Sequence, residues 1–391
     1  MSTALHNPFL AKLMSRIRQH RPALSAEMPF FNRVEKVRGG NYVEVWFLTG
    51  GCTWDHQGGC TMCNYGIGPK VSGKEMVEAV RQALAAISVE VHELLVSPSG
   101  GMWDPMEVSP EALRCIYQLV GTFPMNKFLI ETRAETVTPE AIDELLHYFP
   151  EKALGIELGL ESACPWVQRF CVNKGSNPEM FEVAAEHAHS RGVDVYANVC
   201  LGTAFLTPQE AIEDAVKTVQ WAFDHGAGVA VVFPLHIKPY TLLAALHQRG
   251  VYQAPSLWSL VEVLKQFDQE RLDKIEISWY RSYYDDESKI VYSPTTCPCC
   301  YNTVIELLDD FRATQRAAVV AELDELQCDC KKRWRERINR TATKPLQRRV
   351  LDSYRKLATE FGLGDWWSAN SPRIEHGLLS SEPHVGSSLA A

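Results

Sequence analysis

Between about residues 40 and 290, short apolar runs recur at regular intervals, with longer stretches of helical periodicity between them. The runs at 43–49, 92–97, 127–131, 154–159, 193–199, 229–234 and 274–279 predict strands, and those at 73–88, 109–121, 138–148, 177–191, 207–225 and 256–270 predict helices. Several helix starts carry a capping residue, a proline and an acidic first turn: Ser109-Pro110-Glu111, Thr138-Pro139-Glu140 and Thr207-Pro208-Gln209-Glu210. Near-continuous apolar strands alternating with helices predict a parallel sheet with helices outside it. The expected fold is α/β, a full or partial β/α (TIM-like) barrel. Such barrels carry their chemistry at the C-terminal ends of the strands.

Outside that stretch the pattern changes. Residues 1–39 predict a helical extension, because Leu, Met and Ile recur at helical spacing in LAKLMSRI. Residues 291–362 predict a Cys-rich, mainly helical C-terminal region, with a helical segment from Thr303 to Leu326. Residues 363–391 are rich in Ser, Gly and Pro and are expected to form an unstructured tail.

Composition adds limits. The chain has 391 residues, 46% of them hydrophobic and 22% charged, as in an ordinary globular protein. No apolar run approaches the roughly 18–20 residues of a membrane-spanning helix, and the N-terminus lacks a secretory signal pattern. Twelve cysteines in that context predict a reducing cytoplasm and thiols that bind metal or react. The net charge of −9 disfavours a nucleic-acid-binding surface over the whole molecule. Residues 331–349 are the exception, with nine Lys/Arg against one Glu, and read either as a solvated helix face or as a patch for RNA.

The first predicted strand runs into GGCTWDHQGGCTMCNYG, with Cys52, Cys60 and Cys63 on one loop. Three thiolates can hold three irons of a [4Fe–4S] cluster and leave the fourth iron open to a ligand. Structural zinc is the alternative, with His56 as a fourth ligand. The second strand ends in Ser99-Gly100-Gly101, where the backbone can approach a ligand closely. The third ends in Glu131-Thr132-Arg133 and the fourth in Glu161. Charged side chains at a barrel mouth must be paired or face a ligand. Asn198, Lys238 and Tyr240 point to the same mouth, and His236 reads as a packing or supporting residue.

The cysteine loop resembles that of radical S-adenosylmethionine (SAM) enzymes with a long first gap. In this order, the Gly-Gly strand end with its following Asp-Pro, the Glu-x-Arg strand, the GLES…NKG unit and the CDCKKRW end are similar to the archaeosine-synthase-type, elongator-like branch. The resemblance covers about residues 30–340 and implies a radical SAM barrel. It implies a [4Fe–4S] cluster on Cys52, Cys60 and Cys63, with SAM at the open iron. It also implies cofactor contacts from Met62, Ser99, Gly100, Gly101, Glu131, Arg133, Glu161 and Asn198, and a reductant such as flavodoxin or ferredoxin.

A second group comprises Cys297, Cys299, Cys300, Cys328 and Cys330. The pairs Cys297/Cys300 and Cys328/Cys330 suit structural zinc or a second metal centre. Cys299, Cys300, Cys328 and Cys330 could instead act in catalysis by capturing trivalent arsenic, a soft thiophilic species. The expected function is therefore a radical SAM enzyme acting on a small molecule. Its most specific form transfers the 3-amino-3-carboxypropyl group of SAM to arsenite, as in arsinothricin biosynthesis. The alternative is a tRNA-modifying lyase of the archaeosine-synthase type. No membrane partner is expected.

Overall fold

The computed structural model describes residues 7–23, 25, 27–66, 68–283, 289–339 and 342–383. Eight strands form one sheet in sequence order: β1 (Phe30–Val37), β2 (Gly40–Phe47), β3 (Glu93–Pro98), β4 (Lys127–Thr132), β5 (Ala153–Glu161), β6 (Asp194–Leu201), β7 (Val229–Pro234) and β8 (Ile275–Ile277). The strands from β2 to β8 are parallel, and helices connect them. The predicted caps form: Ser109, Thr138 and Thr207 accept the amide hydrogens of Ala112, Ala141 and Glu210.

The two faces of the sheet differ in kind. Outward residues such as Val43, Val45, Leu94, Val96, Phe128, Ile130, Ile156 and Leu158 pack under the helices and form the core. Inward residues Glu44, Trp46, Ser97, Glu131, Glu157, Glu161, Asn198 and Glu276 line a cavity. A closed barrel of this size usually fills its interior with branched aliphatics. Here most of the apolar burial lies outside the sheet, and inside it a smaller apolar cluster of Val37, Tyr42, Leu95, Leu129, Tyr196 and Val231 adjoins the polar cavity.

The barrel is partial. β1 and β8 form no strand pair among the described residues, but the sheet curls until Arg33 of β1 donates to Ser278 Oγ, just past β8, at 3.1 Å. The helix Tyr301–Thr314 covers this seam: its Arg312 pairs with Glu35 of β1.

Two expectations need correction. The segment 1–39 is not simply a helical extension. It contains the helix Pro8–Ile17 and then β1, which pairs antiparallel with β2 across a turn at Arg38-Gly39. Gly39 has φ +104°, and a Cβ there would meet the His92 ring. β1 escapes an apolar-run search because its pattern is inverted: Arg33 and Glu35 point inward and are buried, whereas Val34 is 49% exposed.

The tail after 362 is also structured as far as residue 383. Gly364–Leu379 is a helix that buries Ile374 and Leu378, and Trp367 packs edge-on against Phe9. Its small and polar residues face outward. Residues 384–391 lie outside the described residues. The basic segment divides between surface and structural roles: Lys332, Arg333, Arg335, Arg337, Lys344 and Arg348 are exposed, while Lys331 is buried and Arg349 half-buried. Arg335 pairs with Asp324, Lys344 with Asp352 and Arg349 with Glu210, while Lys331 turns its ammonium onto carbonyls at the end of the helix Ala317–Glu325. Among the described residues no helix is long and apolar enough to cross a membrane.

Candidate active site and second thiol cluster

The cysteine loop leaves β2 at its C-terminal end and folds over the mouth of the sheet. Cys52, Cys60 and Cys63 all line the cavity. Gly51 turns the chain at φ +97°, and a Cβ there would lie 1.4 Å from the Gly66 carbonyl. Two ion pairs and many hydrogen bonds hold the loop. Arg18 donates to the carbonyls of Gly58, Cys60 and Cys63 at 2.8, 2.9 and 2.6 Å, and both Arg18 and Arg21 pair with Asp55. Asn173 donates to the Gly59 carbonyl at 2.8 Å, and the Trp54 indole donates to Asn173 at 2.9 Å. The N-terminal helix and the loop after β5 thus fix the backbone that carries the sulfurs.

The donor set fits an iron–sulfur cluster. Burial pushes the Cys52 thiol up to about 11, with Glu107 adding to the shift, and pushes Cys60 higher still. Thiols this buried are held ionised only by a metal or a cation. Among the described residues, these three sulfurs do not gather within the span of a single ion, nor does exposed His56 join them. A wider spread suits a polynuclear cube better than one zinc.

Arg133 ties three elements together. It pairs with Asp104, Glu107 and Glu135, donates to Thr53 Oγ1 at 2.9 Å, and lies 3.5 Å from Cys52 Sγ. Glu107 accepts from the amide hydrogens of Thr53 and Gly101 at 2.6 and 2.5 Å. Gly100 is needed because a Cβ there would run into Glu107. Ser99 is fully buried and bonds Thr49 at 2.9 Å, on the stem of the loop.

No family model matches the chain. Two curated relatives are named archaeosine synthase subunit beta. The one from Methanosarcina acetivorans is 30% identical over 297 residues, covering 75% of this chain and 83% of that protein. The one from Thermococcus kodakarensis is 29% identical over 288 residues, covering 70% and 84%. The chain belongs to the archaeosine synthase subunit beta family, within the radical SAM enzymes. Among solved structures, Methanocaldococcus infernus Elp3 has a TM-score of 0.45 at 16% identity, covering 65% of this chain and 60% of that one. Methylornithine synthase has a TM-score of 0.42 at 14% identity, covering 68% and 70%.

In this family member, Met62, Gly100, Glu131, Arg133, Glu161 and Asn198 reach the same cavity as the three cysteines. Ser99 and Gly101 are not among its lining residues and support the loop and Glu107 instead. Glu161 sits at φ +64°, accepting from Lys174 Nζ at 2.8 Å and from the Cys200 thiol at 2.8 Å. Lys174, held beside Cys60 by that pair, stabilises negative charge on the cysteine loop. His236 is held by the Trp279 carbonyl at 2.6 Å and Ser293 Oγ at 3.1 Å, and burial lowers it to about 4, so it is neutral and supporting. Lys238 lies over the Tyr65 ring at 4.5 Å, and Tyr240, 37% exposed, is not among the lining residues.

Glu107 and Arg18 carry no mark in the linear pattern, because each acts through the backbone of a distant segment. Asp104 shows only as part of the Asp-Pro that follows the Gly-Gly strand end.

Behind β5, Ser162 Oγ donates to buried Asp214 at 2.7 Å, and burial pushes Asp214 up to about 7. A carboxyl raised in the folded state contributes stability below its unfolded value near 4, and loses it as pH rises to about 7. Asp214→Asn should therefore flatten the decline between those pH values. The gain at pH 8 should be of the order of 4 kcal/mol, readable by denaturant melts. An unchanged pH profile would remove Asp214 as its source.

The second thiol group forms a compact set. Cys297–Cys300, Cys297–Cys328 and Cys300–Cys330 sulfur distances are 3.6, 3.4 and 3.5 Å, and all four sulfurs lie within 4.8 Å of one another. A tetrahedron with zinc–sulfur bonds of about 2.3 Å has edges near 3.8 Å. The Trp258 indole donates to Cys330 Sγ at 3.2 Å, a typical outer partner for a metal thiolate. Cys299 is exposed and stands outside the set. None of the five lines the cavity that holds Cys52, Cys60 and Cys63.

Proposed function

We propose that this chain is the cluster-bearing subunit of a tRNA-modifying radical SAM enzyme of the archaeosine-synthase type, working with a partner subunit and an external reductant. The observation that carries the reading is the placement of Cys52, Cys60 and Cys63 over a polar cavity in a chain that spans 83% of a relative named archaeosine synthase subunit beta. When bound on these thiolates, a [4Fe–4S] cluster supplies the electron that breaks a carbon–sulfur bond of SAM. The protein's own residues orient and shield. Arg18 and Asn173 fix the loop backbone, Arg133 and Lys174 bring positive charge to its sulfurs, and Met62 and Trp54 line the wall beside it. Glu131, Glu161 and Asn198 offer polar groups to SAM or substrate from three adjacent strands.

The arsenite reading needs reactive thiols facing the site of bond cleavage. Its candidate thiols instead form the compact four-sulfur set, away from the cavity, with Cys299 outside it. The four-sulfur set reads best as structural zinc. Cys328→Ser should then cost one zinc per chain by elemental analysis. It should also lower the melting temperature, because the set joins the start of the helix Tyr301–Thr314 to that of Asp329–Ile338. Retained zinc with unchanged melting would end that assignment.

The function itself is tested by anaerobic reconstitution followed by SAM-cleavage analysis with tRNA or with arsenite. Cleavage stimulated by tRNA supports the proposal. An aminocarboxypropyl–arsenic product, with no response to tRNA, would replace it with the arsenic chemistry.

A further inference from the structure

The cavity contains more carboxylates than its cations neutralise. Five glutamates line it: Glu44, Glu131, Glu157, Glu161 and Glu276. Glu161 pairs with Lys174 at 2.8 Å and Glu44 with Arg33 at 2.5 Å. The remaining three form no ion pair among the described residues; Glu131 only accepts from Ser97 Oγ, at 2.6 Å. The arginines that line the cavity are engaged elsewhere: Arg33 also on Glu35, Arg312 on Glu35, and Arg133 on Asp104, Glu107 and Glu135. Lys238, which also lines the cavity, lies over the Tyr65 ring at 4.5 Å and 6.0 Å from the Trp279 ring, and forms no ion pair among the described residues.

Glu131 and Glu157 are direct cross-strand partners on β4 and β5. Like charges so placed are mutually destabilising. Glu157 is only 7% exposed and faces the cavity. Glu276 approaches from β8 on the other side of the curl. The fold does not need these carboxylates, since its large apolar cores lie on the outer face of the sheet and the smaller inner one is built from Tyr42, Leu95, Leu129, Tyr196 and Val231. Burying three of them without partners is expensive unless a ligand completes the site.

We propose that Glu131, Glu157 and Glu276 form a substrate subsite for a nitrogen cation: an ammonium, amidinium or guanidinium group. Such groups offer several N–H donors and a charge, and carboxylates bind them through short, charge-assisted hydrogen bonds. The aromatic walls formed by Trp46, Tyr65 and Trp279 suit the flanks of such a group. Burial pushes Glu131 and Glu276 up to about 7 and holds Glu157 well above its usual range, with Glu131 and Glu276 adding to the last shift. A bound cation reverses that cost. Glu157 lies four residues before Glu161 on β5, roughly 13 Å along the strand, so the subsite lies deeper in the cavity than the cysteine loop.

The inference deepens the proposed function and rests on it for the word substrate. The test uses calorimetry on the full chain with agmatine, which carries a guanidinium and an ammonium, and with n-pentanol and butyrate as neutral and anionic probes. Agmatine should bind and the other two should not. Glu157→Gln and Glu276→Gln should each weaken agmatine roughly tenfold or more, and the double variant should abolish its binding. Both variants relieve buried charge, so their melting temperatures should hold or rise. Absence of agmatine binding, butyrate binding as tightly as agmatine, or a folded double variant that binds agmatine unchanged would each overturn the subsite. SAM cleavage measured in parallel separates the two ideas. Cleavage without agmatine binding rejects the subsite alone, and agmatine binding without cleavage rejects the radical reading alone.

Discussion

Cys60→Ala should leave a folded protein that no longer retains its iron–sulfur cluster. Cys60 is half-buried, and its backbone is held by Arg18 and, through the neighbouring Gly59 carbonyl, by Asn173. The backbone scaffold does not depend on the sulfur, so the fold should survive. Two remaining thiolates cannot hold a cube against loss to solvent. The drop in cluster occupancy should exceed the roughly 10–100-fold cost of losing an outer partner of a metal ligand. Iron analysis and the visible absorption of the reconstituted protein measure it, and SAM cleavage should fall to background. Cys115→Ala is the control, because Cys115 sits on the helix Pro110–Gly121 and is not among the cavity's lining residues. Equal iron content and cleavage in the two variants would refute the cluster assignment.

Glu35→Ala is expected to have the largest effect on stability. Glu35 of β1 pairs with Arg33 at 2.8 Å and also with Arg312, and it accepts from the Tyr283 hydroxyl. The side chains of Glu35, Arg33 and Arg312 are 2, 3 and 3% exposed. Removing the carboxylate leaves Arg33 with Glu44 and strips buried Arg312 of its one ion pair among the described residues. Breaking a buried pair by deleting one partner costs about 3–5 kcal/mol, because an uncompensated charge stays inside. The loss should appear in denaturant melts as a lower midpoint. It should also loosen the helix Tyr301–Thr314, since Arg312 is that helix's ionic link to β1. Adding Arg312→Met should recover part of the loss by removing one stranded charge. A single variant as stable as the parent would mean that water reaches this cluster and screens it.

Much of the architecture was legible in the linear pattern, for reasons that are local. The strands from β2 to β8 show as apolar runs because their outward residues pack with the flanking helices into two large cores. The helix starts at Ser109, Thr138 and Thr207 show because a cap, a proline and an acid act within one turn. The cysteine loop shows because its sulfurs lie within twelve residues of one another in sequence.

Other features depend on residues far apart in sequence. β1 carries its charges inward, so no apolar signature marks it, and only its pairing with β2 and with Arg312 makes it a strand. The helix Gly364–Leu379 depends on Phe9 and Trp166, more than a hundred residues away. Within the basic segment, Arg335 and Arg349 meet acidic partners on other elements, Asp324 and Glu210, that spacing does not mark.

The amino-acid sequence by itself determined which thiols could hold metal, in what order the strands and helices come, and that the barrel's chemistry would lie at the strand ends. These are properties of spacing and of side chains acting over a few residues. Tertiary structure decided that Cys299 stands apart while four other thiols converge, that Arg133 and Glu107 brace the cysteine loop, and that Glu131, Glu157 and Glu276 face one cavity. Those outcomes turn on which distant groups share a low-dielectric space, where pairing or isolation of charge is worth several kcal/mol, and sequence separation does not encode that proximity.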